Sequence, residues 1–452
     1  MSTRLAASPT RERCTALSSM NTGSTVEDRR QEYARTVSFL CGLERFGILL
    51  GLDNIAALLE KMGNPQRSFR SVHITGSNGK GSTASFIHGM VRAAGMRPAL
   101  YTSPHLNDFR ERIRLDGRLI SEDAIIKATN KIRELYDPRR TTFFEFTTAL
   151  AFDQISEFKP DLAVIEVGLG GRLDATNILA PEVSVITDVS LEHQDYLGST
   201  IAAIAREKAG ILKPGTSVVT GASRRQAREV ILAEAQRLAC PVREFGKDFR
   251  AVRGADGFFS YESPYSRLED IRLSMAASYQ VKNAALAIAV VEELIKGDYV
   301  IPEEAIREGI FATRFPGRFE LLAERPHVII DGAHTPEGMR LLKSNIRRLF
   351  PNKDVRLLLG MLKDKNYRDL ASIIAPIAKE VACVAPQSNR ALEPEELSHL
   401  LQARGIPASP HETIEEGFDY LRSKADPNDL ILAAGSLYMI GPVRALCGYP
   451  NE

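Results

Sequence analysis

Thr75-Gly76-Ser77-Asn78-Gly79-Lys80-Gly81-Ser82 packs a cation, three hydroxyls and three glycines into eight residues. That set suits a phosphate cradle. Glycines let the backbone turn with positive φ and bring several N–H groups onto one anion. The strand-like Ser71-Val72-His73-Ile74 precedes it, and Thr83-Ala84-Ser85-Phe86-Ile87 opens a helical run whose N-terminal dipole favours the same anion. Lys80 is then placed to neutralise β- and γ-phosphate oxygens, and Ser82 to ligate Mg²⁺. Gly81 separates the lysine from the hydroxyl residue, a spacing that departs from the usual P-loop.

A second set of residues follows two apolar runs. Leu162 to Val167 contains Glu166 near its end, ahead of a glycine-rich turn through Gly168, Gly170 and Gly171 to Asp174. Ligands of open α/β sheets sit at the carboxyl ends of strands, so Glu166 is a candidate oxygen ligand for Mg²⁺. A strand-end carboxylate solvated at a turn is the plain alternative. Val183 to Thr187 predicts the next strand, and its loop holds Asp188, Glu192, His193 and Asp195. Alone, His193 reads as a loop-satisfying residue; beside Glu166 and the phosphate loop it becomes a candidate metal ligand. Lys208 lies near a helix end marked by Gly210 and Pro214-Gly215. Its composition reads as a surface lysine, and only as a carbamate would it supply an acidic ligand.

These residues need a scaffold, and 452 residues exceed a single core, which predicts two or three domains. Hydrophobic residues at 44% and charged residues at 25% match an ordinary globular chain. A net charge of +1 supplies no long-range field for nucleic acid or an acidic membrane, so anion binding must be local. Cys14, Cys41, Cys240, Cys383 and Cys447 are widely spaced with no CxxC pair, which suits free thiols in a reducing, cytoplasmic setting. No apolar run reaches the roughly 18 residues of a membrane span. Residues 1–28 are rich in Ser, Thr and Arg and read as a disordered arm, a weak transit peptide or an extension ahead of a start at Met20. A monomer is expected.

Helical spacing covers Tyr33 to Leu59 with a break at Leu43-Glu44-Arg45-Phe46-Gly47. Predicted helices at Glu122–Tyr136, Phe146–Phe158 and Asn283–Ile295 alternate with strands at Pro98–Tyr101, Leu162–Val167 and Val183–Thr187. Such alternation predicts a buried, mostly parallel sheet. Arg243 to Leu273 reads as an antiparallel excursion. After Phe315-Pro316-Gly317-Arg318 a second α/β unit of about 135 residues begins, with strands at Val328–Asp331, Val355–Leu359, Val381–Val384 and Leu430–Ala433. The expected division is 29–313 and 314–452, an ATP-binding unit and a smaller Rossmann-like one.

The phosphate loop resembles that of the Mur-ligase superfamily. From about Tyr33 to Val443 the chain resembles the folylpolyglutamate synthases, in the bacterial form that often also acts as dihydrofolate synthase. Beyond the loop and the Glu166, His193 and Lys208 blocks, the signatures are Leu43-Glu-Arg-Phe-Gly47, Thr102-Ser-Pro-His-Leu106, Phe109-Arg-Glu-Arg-Ile113 and Phe144-Glu-Phe-Thr147. Pro316-Gly-Arg-Phe319, Asp331-Gly-Ala-His334 and Gly435-Ser-Leu437 complete them. The resemblance implies ATP and two Mg²⁺ ions, with Lys80 and Ser82 on the phosphates and Ser82, Ser103, Glu166 and His193 on metal. It implies a carbamylated Lys208 supporting the second ion; K⁺ is not assigned. Asn283 would hold the adenine side, and Arg318 and Asp331 would reach phosphates and ribose. Phe144, Thr147 and Asp174 would face the pterin, and His334 and Ser436 the incoming glutamate. Two departures stand out: Ala277, Tyr279 and Gln280 replace the usual Gly-x-His-Gln, and Thr335 follows His334 where Asn is usual.

What the resemblance implies is a three-substrate ligation. A dihydropteroate or folate carboxylate takes the γ-phosphoryl of ATP, and the amine of L-glutamate attacks the acyl phosphate. Phosphoryl transfer needs positioned cations more than protein nucleophiles, which matches the residue types. The rivals are a synthase that only extends folate tails, a Mur-type peptidoglycan ligase, and a non-catalytic P-loop protein.

Overall fold

The computed structural model describes residues 26–43, 49–254, 257–274 and 277–449. The expected break at 44–47, most of the N-terminal arm and Cys14 lie outside them; a helix, Val26–Gly42, opens the described chain.

Eight strands build the larger sheet: β1 Ser71–Thr75, β2 Pro98–Tyr101, β3 Ile113–Leu115, β4 Arg118–Leu119, β5 Leu162–Glu166, β6 Val183–Ile186, β7 Ser217–Thr220 and β8 Val242–Glu244. Their order is β4-β3-β2-β5-β1-β6-β7-β8. β2, β5, β1, β6, β7 and β8 pair in parallel, and the β3–β4 hairpin adds antiparallel strands at one edge. β1, β2, β5 and β6 are buried along their whole length, as strands covered on both faces must be. β1 lies between β5 and β6, with Ile74 opposite both Glu166 and Val185. That register places the carboxyl ends of three strands side by side.

Helices Lys80–Ala93, Tyr279–Gly297 and Glu303–Ala312 share one core on one face, with Ile74, Phe86, Met90, Leu286 and Ile310 fully buried. The other core gathers Leu40, Ile55, Phe146, Phe152 and Ile165 beneath helices Val26–Gly42, Asp53–Lys61, Glu122–Arg133 and Phe143–Phe158. The last of these starts three residues earlier than its apolar spacing predicts. Thr142 and Glu145 form a reciprocal capping box, Thr142 N–H donating to Glu145 Oε2 at 2.8 Å and Glu145 N–H to Thr142 Oγ1 at 3.2 Å. Phe144 and Glu145, ahead of the predicted start, therefore lie in the first helical turn.

The excursion is a three-stranded antiparallel sheet of β9 Arg250–Arg253, β10 Phe258–Glu262 and β11 Arg267–Arg272. The last sheet comprises β12 Glu320–Glu324, β13 His327–Asp331, β14 Val355–Leu359, β15 Glu380–Cys383, β16 Ala408–Pro410 and β17 Leu430–Ala434, in the order β12-β13-β17-β14-β15-β16. Only β12 runs antiparallel to its neighbour. The two edge strands escaped the sequence reading because β12 is partly exposed and β16 is three residues long, so neither forms a buried apolar run. The α/β class with a mostly parallel sheet and a smaller C-terminal α/β sheet is as expected. Among the described residues the four cysteines are free, and no helix is long and apolar enough to cross a membrane.

Candidate active site

β1 runs into the phosphate loop, and Gly79 ends the loop in the left-handed conformation at φ 86° as the N-cap of helix Lys80–Ala93. A side chain at Gly79 would meet the Asn283 carboxamide. The loop after β6 clasps it from the side. Thr187 Oγ1 donates to Asn78 O at 2.6 Å, Ser77 N–H to Asp188 O at 3.0 Å, and Ser190 N–H to Ser77 Oγ at 2.9 Å. Lys80 Nζ curls back to donate to Gly76 O at 2.9 Å, which puts its charge over the loop. Ser82 Oγ accepts from Gln280 Nε2 at 3.2 Å, and Gln280 Oε1 accepts from Asn283 Nδ2 at 2.9 Å. Asn283, expected at adenine, therefore stands against the phosphate loop.

At the end of β5, Glu166 Oε2 accepts the Ser103 N–H at 3.1 Å. Burial raises its carboxyl above the ordinary value, opposed chiefly by Lys80 and, more weakly, Arg318 and Arg112. A carboxylate buried to 4% exposure at a strand end, against the Ser103 backbone, fits a hard divalent cation, which takes oxygen ligands and retains waters or phosphate oxygens. Among the described residues no group of three or more His, Cys, Asp or Glu side chains is arranged to hold a metal ion. Any such ion would draw on hydroxyls and substrate oxygens.

Lys208 is 1% exposed, so it is not the surface lysine that its composition suggests. Its Nζ pairs with Glu192 Oε1 at 2.8 Å, an acidic partner that the sequence reading left unassigned. Burial pushes the Lys208 ammonium below its usual value despite Glu192. Although burial raises the Glu192 carboxyl, Lys208 and Lys80 outweigh it and hold it down at about 2. His193 follows, exposed and in a left-handed conformation at φ 44°, at the N-cap of helix Gln194–Leu197. Partial screening of its ring from water, then Lys365 of the other sheet, lower its imidazole.

The second sheet brings its own strand ends. Asp331, at the end of β13, accepts from Tyr279 Oη and Phe319 N–H at 2.9 Å through Oδ2 and from Ala333 N–H at 2.8 Å through Oδ1. Those bonds tie the helix behind the phosphate loop to the turn that presents Arg318. Burial raises the Asp331 carboxyl, with Arg318 the main opposing charge. Arg318 is half-buried, its guanidinium carbon 5.9 Å from the Phe315 ring centre. His334 Nδ1 lies 2.8 Å from Gly332 O; because a carbonyl only accepts, Nδ1 holds the proton and Nε2 keeps its lone pair. Burial, reinforced by Arg318 and Lys365, pushes this imidazole down to about 4. Lys365, also unassigned by sequence, follows β14; its place after an apolar strand run was the signal. Ser436 caps helix Leu437–Leu446 by accepting Tyr438 N–H at 3.2 Å.

The residues expected at the pterin sit on the β5 side. Phe144 packs over Gly168 with its ring 6.5 Å from that of Tyr101, and Thr147 Oγ1 donates to Phe144 O at 3.2 Å. Asp174 organises its own loop, accepting from Leu169 N–H at 2.8 Å and from Thr176 N–H and Oγ1 at 3.0 and 2.5 Å. A cavity of about 1070 Å³ joins both sheets, with Ser103, Glu166, Arg318 and Leu437 on its walls.

Two signatures of Mur ligases match this chain, the Mur ligase middle domain over residues 74–291 and the glutamate ligase domain over 317–437. The dihydrofolate synthase/folylpolyglutamate synthase of Bacillus subtilis is 34% identical over 425 residues, spanning 91% of this chain and 98% of that protein. Escherichia coli FolC in complex with DHPP and ADP superposes with a TM-score of 0.84 at 28% identity, covering 91% of this chain and 97% of that one. The bifunctional folylpolyglutamate synthase/dihydrofolate synthase of Yersinia pestis, complexed with AMPPNP and Mn, gives 0.83 at 29% identity over 91% and 98%. The chain belongs to the dihydrofolate synthase/folylpolyglutamate synthase family of Mur ligases.

Proposed function

We propose that this chain joins L-glutamate to the carboxylate of dihydropteroate and to the γ-carboxylate of a reduced folate, converting ATP to ADP and phosphate. ATP-dependent ligation of glutamate to folates follows from its family; use of both acceptors is the finer claim. The observation that carries it is the meeting of Glu166 and Ser103 from one sheet with Arg318 from the other on the walls of one cavity, with Lys80 near enough to lower the Glu166 carboxyl and Lys365 near enough to lower the His334 imidazole. Residues 29–313 would hold the nucleotide and acceptor, and 314–452 would bring the amino acid.

The loop N–H groups and Lys80 bind and orient the γ-phosphate, and Arg318 meets the charge spreading onto it as the acceptor carboxylate attacks. A divalent ion at Glu166, Ser82 and Ser103 would add positive charge there. Neutral His334 offers Nε2 to the glutamate amine; with its imidazole near 4 it orients that nitrogen rather than removing a proton from an ammonium. Closure around the cleft keeps water from the acyl phosphate. The depressed Lys208 amine supports carbamylation, since a neutral buried amine is the form that adds CO₂. A carbamate there would repel Glu192, so its formation must come with a cation between them.

The test is ADP release from Mg²⁺-ATP and L-glutamate with dihydropteroate or tetrahydrofolate as acceptor. Release with both is expected. Release with tetrahydrofolate alone would reduce the activity to tail extension, and release with neither would overturn the folate assignment.

A further inference from the structure

The cavity that contains Glu166 and Arg318 does not end at them. It continues alongside helices Lys80–Ala93 and Glu303–Ala312, which touch each other at Gly89 and Gly309, and past Leu100 of β2 and Arg114 of β3, which face each other in register. Ser85, His88, Gly89 and Arg92 fall at i, i+3, i+4 and i+7 on one face of the first helix and line about 10 Å of wall.

Two arginines line this arm. Arg92 lies across Gly117 and reaches Asp116 at 3.5 Å; Arg114 donates to Gly117 O at 3.5 Å. His88, 7% exposed, sits by both, and its Nε2 has no hydrogen-bond partner. Its imidazole is pushed down to about 4 by burial and then by Arg114 and Arg92, with Asp116 opposing them. Two carboxylates of the wall are already engaged: Glu111 accepts the N–H groups of Leu106, Asn107 and Asp108, and Glu320 accepts Gly317 N–H and pairs with Arg444 at 3.0 Å. Glu308 remains, exposed to water at the rim.

We propose that this arm binds the α-carboxylates of the γ-glutamyl tail of an already extended folate. The inference rests on the ligase activity above. The terminal γ-carboxylate must reach Glu166 and Arg318 to be phosphorylated, so the preceding residues have to leave that point along the cavity. A γ-linked tail presents one carboxylate per residue, and guanidinium groups bind carboxylates through strong charge-assisted hydrogen bonds. The single α-carboxylate of a monoglutamate belongs to the reacting residue itself and falls short of Arg92 and Arg114, whereas each added residue carries a carboxylate farther along, so the site acts on tail length and leaves the chemistry alone.

The double variant Arg92→Gln/Arg114→Gln should raise the KM for tetrahydrofolate triglutamate about tenfold, the loss of one strong contact's worth of affinity, while KM and kcat for the monoglutamate stay unchanged. An equal change for both acceptors, as follows if the arginines only brace the β3–β4 hairpin, or no change for either, would overturn the proposal. Should that variant fail to fold, Glu308→Gln at the exposed rim serves. It should lower the triglutamate KM about twofold by removing a like charge, and an unchanged or higher value would overturn the proposal. Wild-type protein that extends the monoglutamate but not the triglutamate would sink the tail site alone; inactivity on every folate would sink the ligase assignment.

Discussion

At the phosphate loop nearly every group is fixed by its own sheet: a left-handed glycine starts the helix, three hydrogen bonds from the β6 loop clasp the turn, and Lys80 folds onto it. The residues across the cleft are fixed at a distance. Arg318 follows a linker, and the turn that presents it is pinned through Asp331 to Tyr279, which belongs to a helix packed on the other sheet. The first region is a preformed anion cradle. The second is a set of charges whose position depends on the two sheets keeping their relation, which suits a group needed only once the acceptor has arrived.

Substitutions should separate the two regions, and the largest effect belongs to the cradle. Lys80→Ala should lower turnover by roughly a thousandfold, the upper range for one charge-stabilising donor, and weaken both ligation and any background ATP hydrolysis. Arg318→Ala should cost about a hundredfold in kcat while nucleotide affinity, measured by ADP titration, and the melting temperature stay near wild type. If Arg318→Ala loses nucleotide affinity as severely as Lys80→Ala, the proposed division between the regions fails. Tyr279→Phe removes one hydrogen bond to a buried carboxylate and should destabilise the fold by about 2 kcal/mol, with ligation falling about tenfold and ATP binding retained. Tyr279→His should recover ligation, because a ring N–H can donate to Asp331 in place of the hydroxyl.

Acid separates the regions more gently. His73, His88 and His105 pack around the first sheet with imidazoles pushed down to about 3, 4 and 3, burial being the largest cause in each; His334, at about 4, stands by the second. A folded-state value below the unfolded one of about 6.5 means that full stability is present above that pH and is lost as pH falls toward the folded value. Melting curves between pH 7.5 and 5 should therefore show the cradle's sheet weakening first. Equal melting at both pH values would contradict neutral burial of these rings.

The same contrast explains what was legible in the sequence. β1, the phosphate loop and its helix form a contiguous strand–turn–helix, so residue types and spacing alone located Lys80 and Ser82. Glu166 was legible as a carboxylate at the end of a buried apolar run. Glu192 was not, because its importance comes from Lys208, 16 residues away and buried, and burial of a lysine leaves no mark in composition. Lys365 escaped for a related reason: it acts on His193 and His334 only after two sheets have come together. Asp174 and Asp331 are expected to face ligand, and in the structure their oxygens also accept from N–H groups of their own chain. A carboxylate near a glycine-rich turn has the same sequence signature in either role.

Whether the two regions act on one carboxylate is tested most directly by following its oxygen. Tetrahydrofolate carrying heavy oxygen in its γ-carboxylate is turned over with Mg²⁺-ATP and L-glutamate, and the phosphate released is weighed by mass spectrometry. Transfer of one heavy oxygen to each phosphate is the expected result, since the acyl phosphate formed at the cradle is broken by the amine arriving from across the cleft. Phosphate free of the label would contradict it, separating ATP cleavage from the carboxylate.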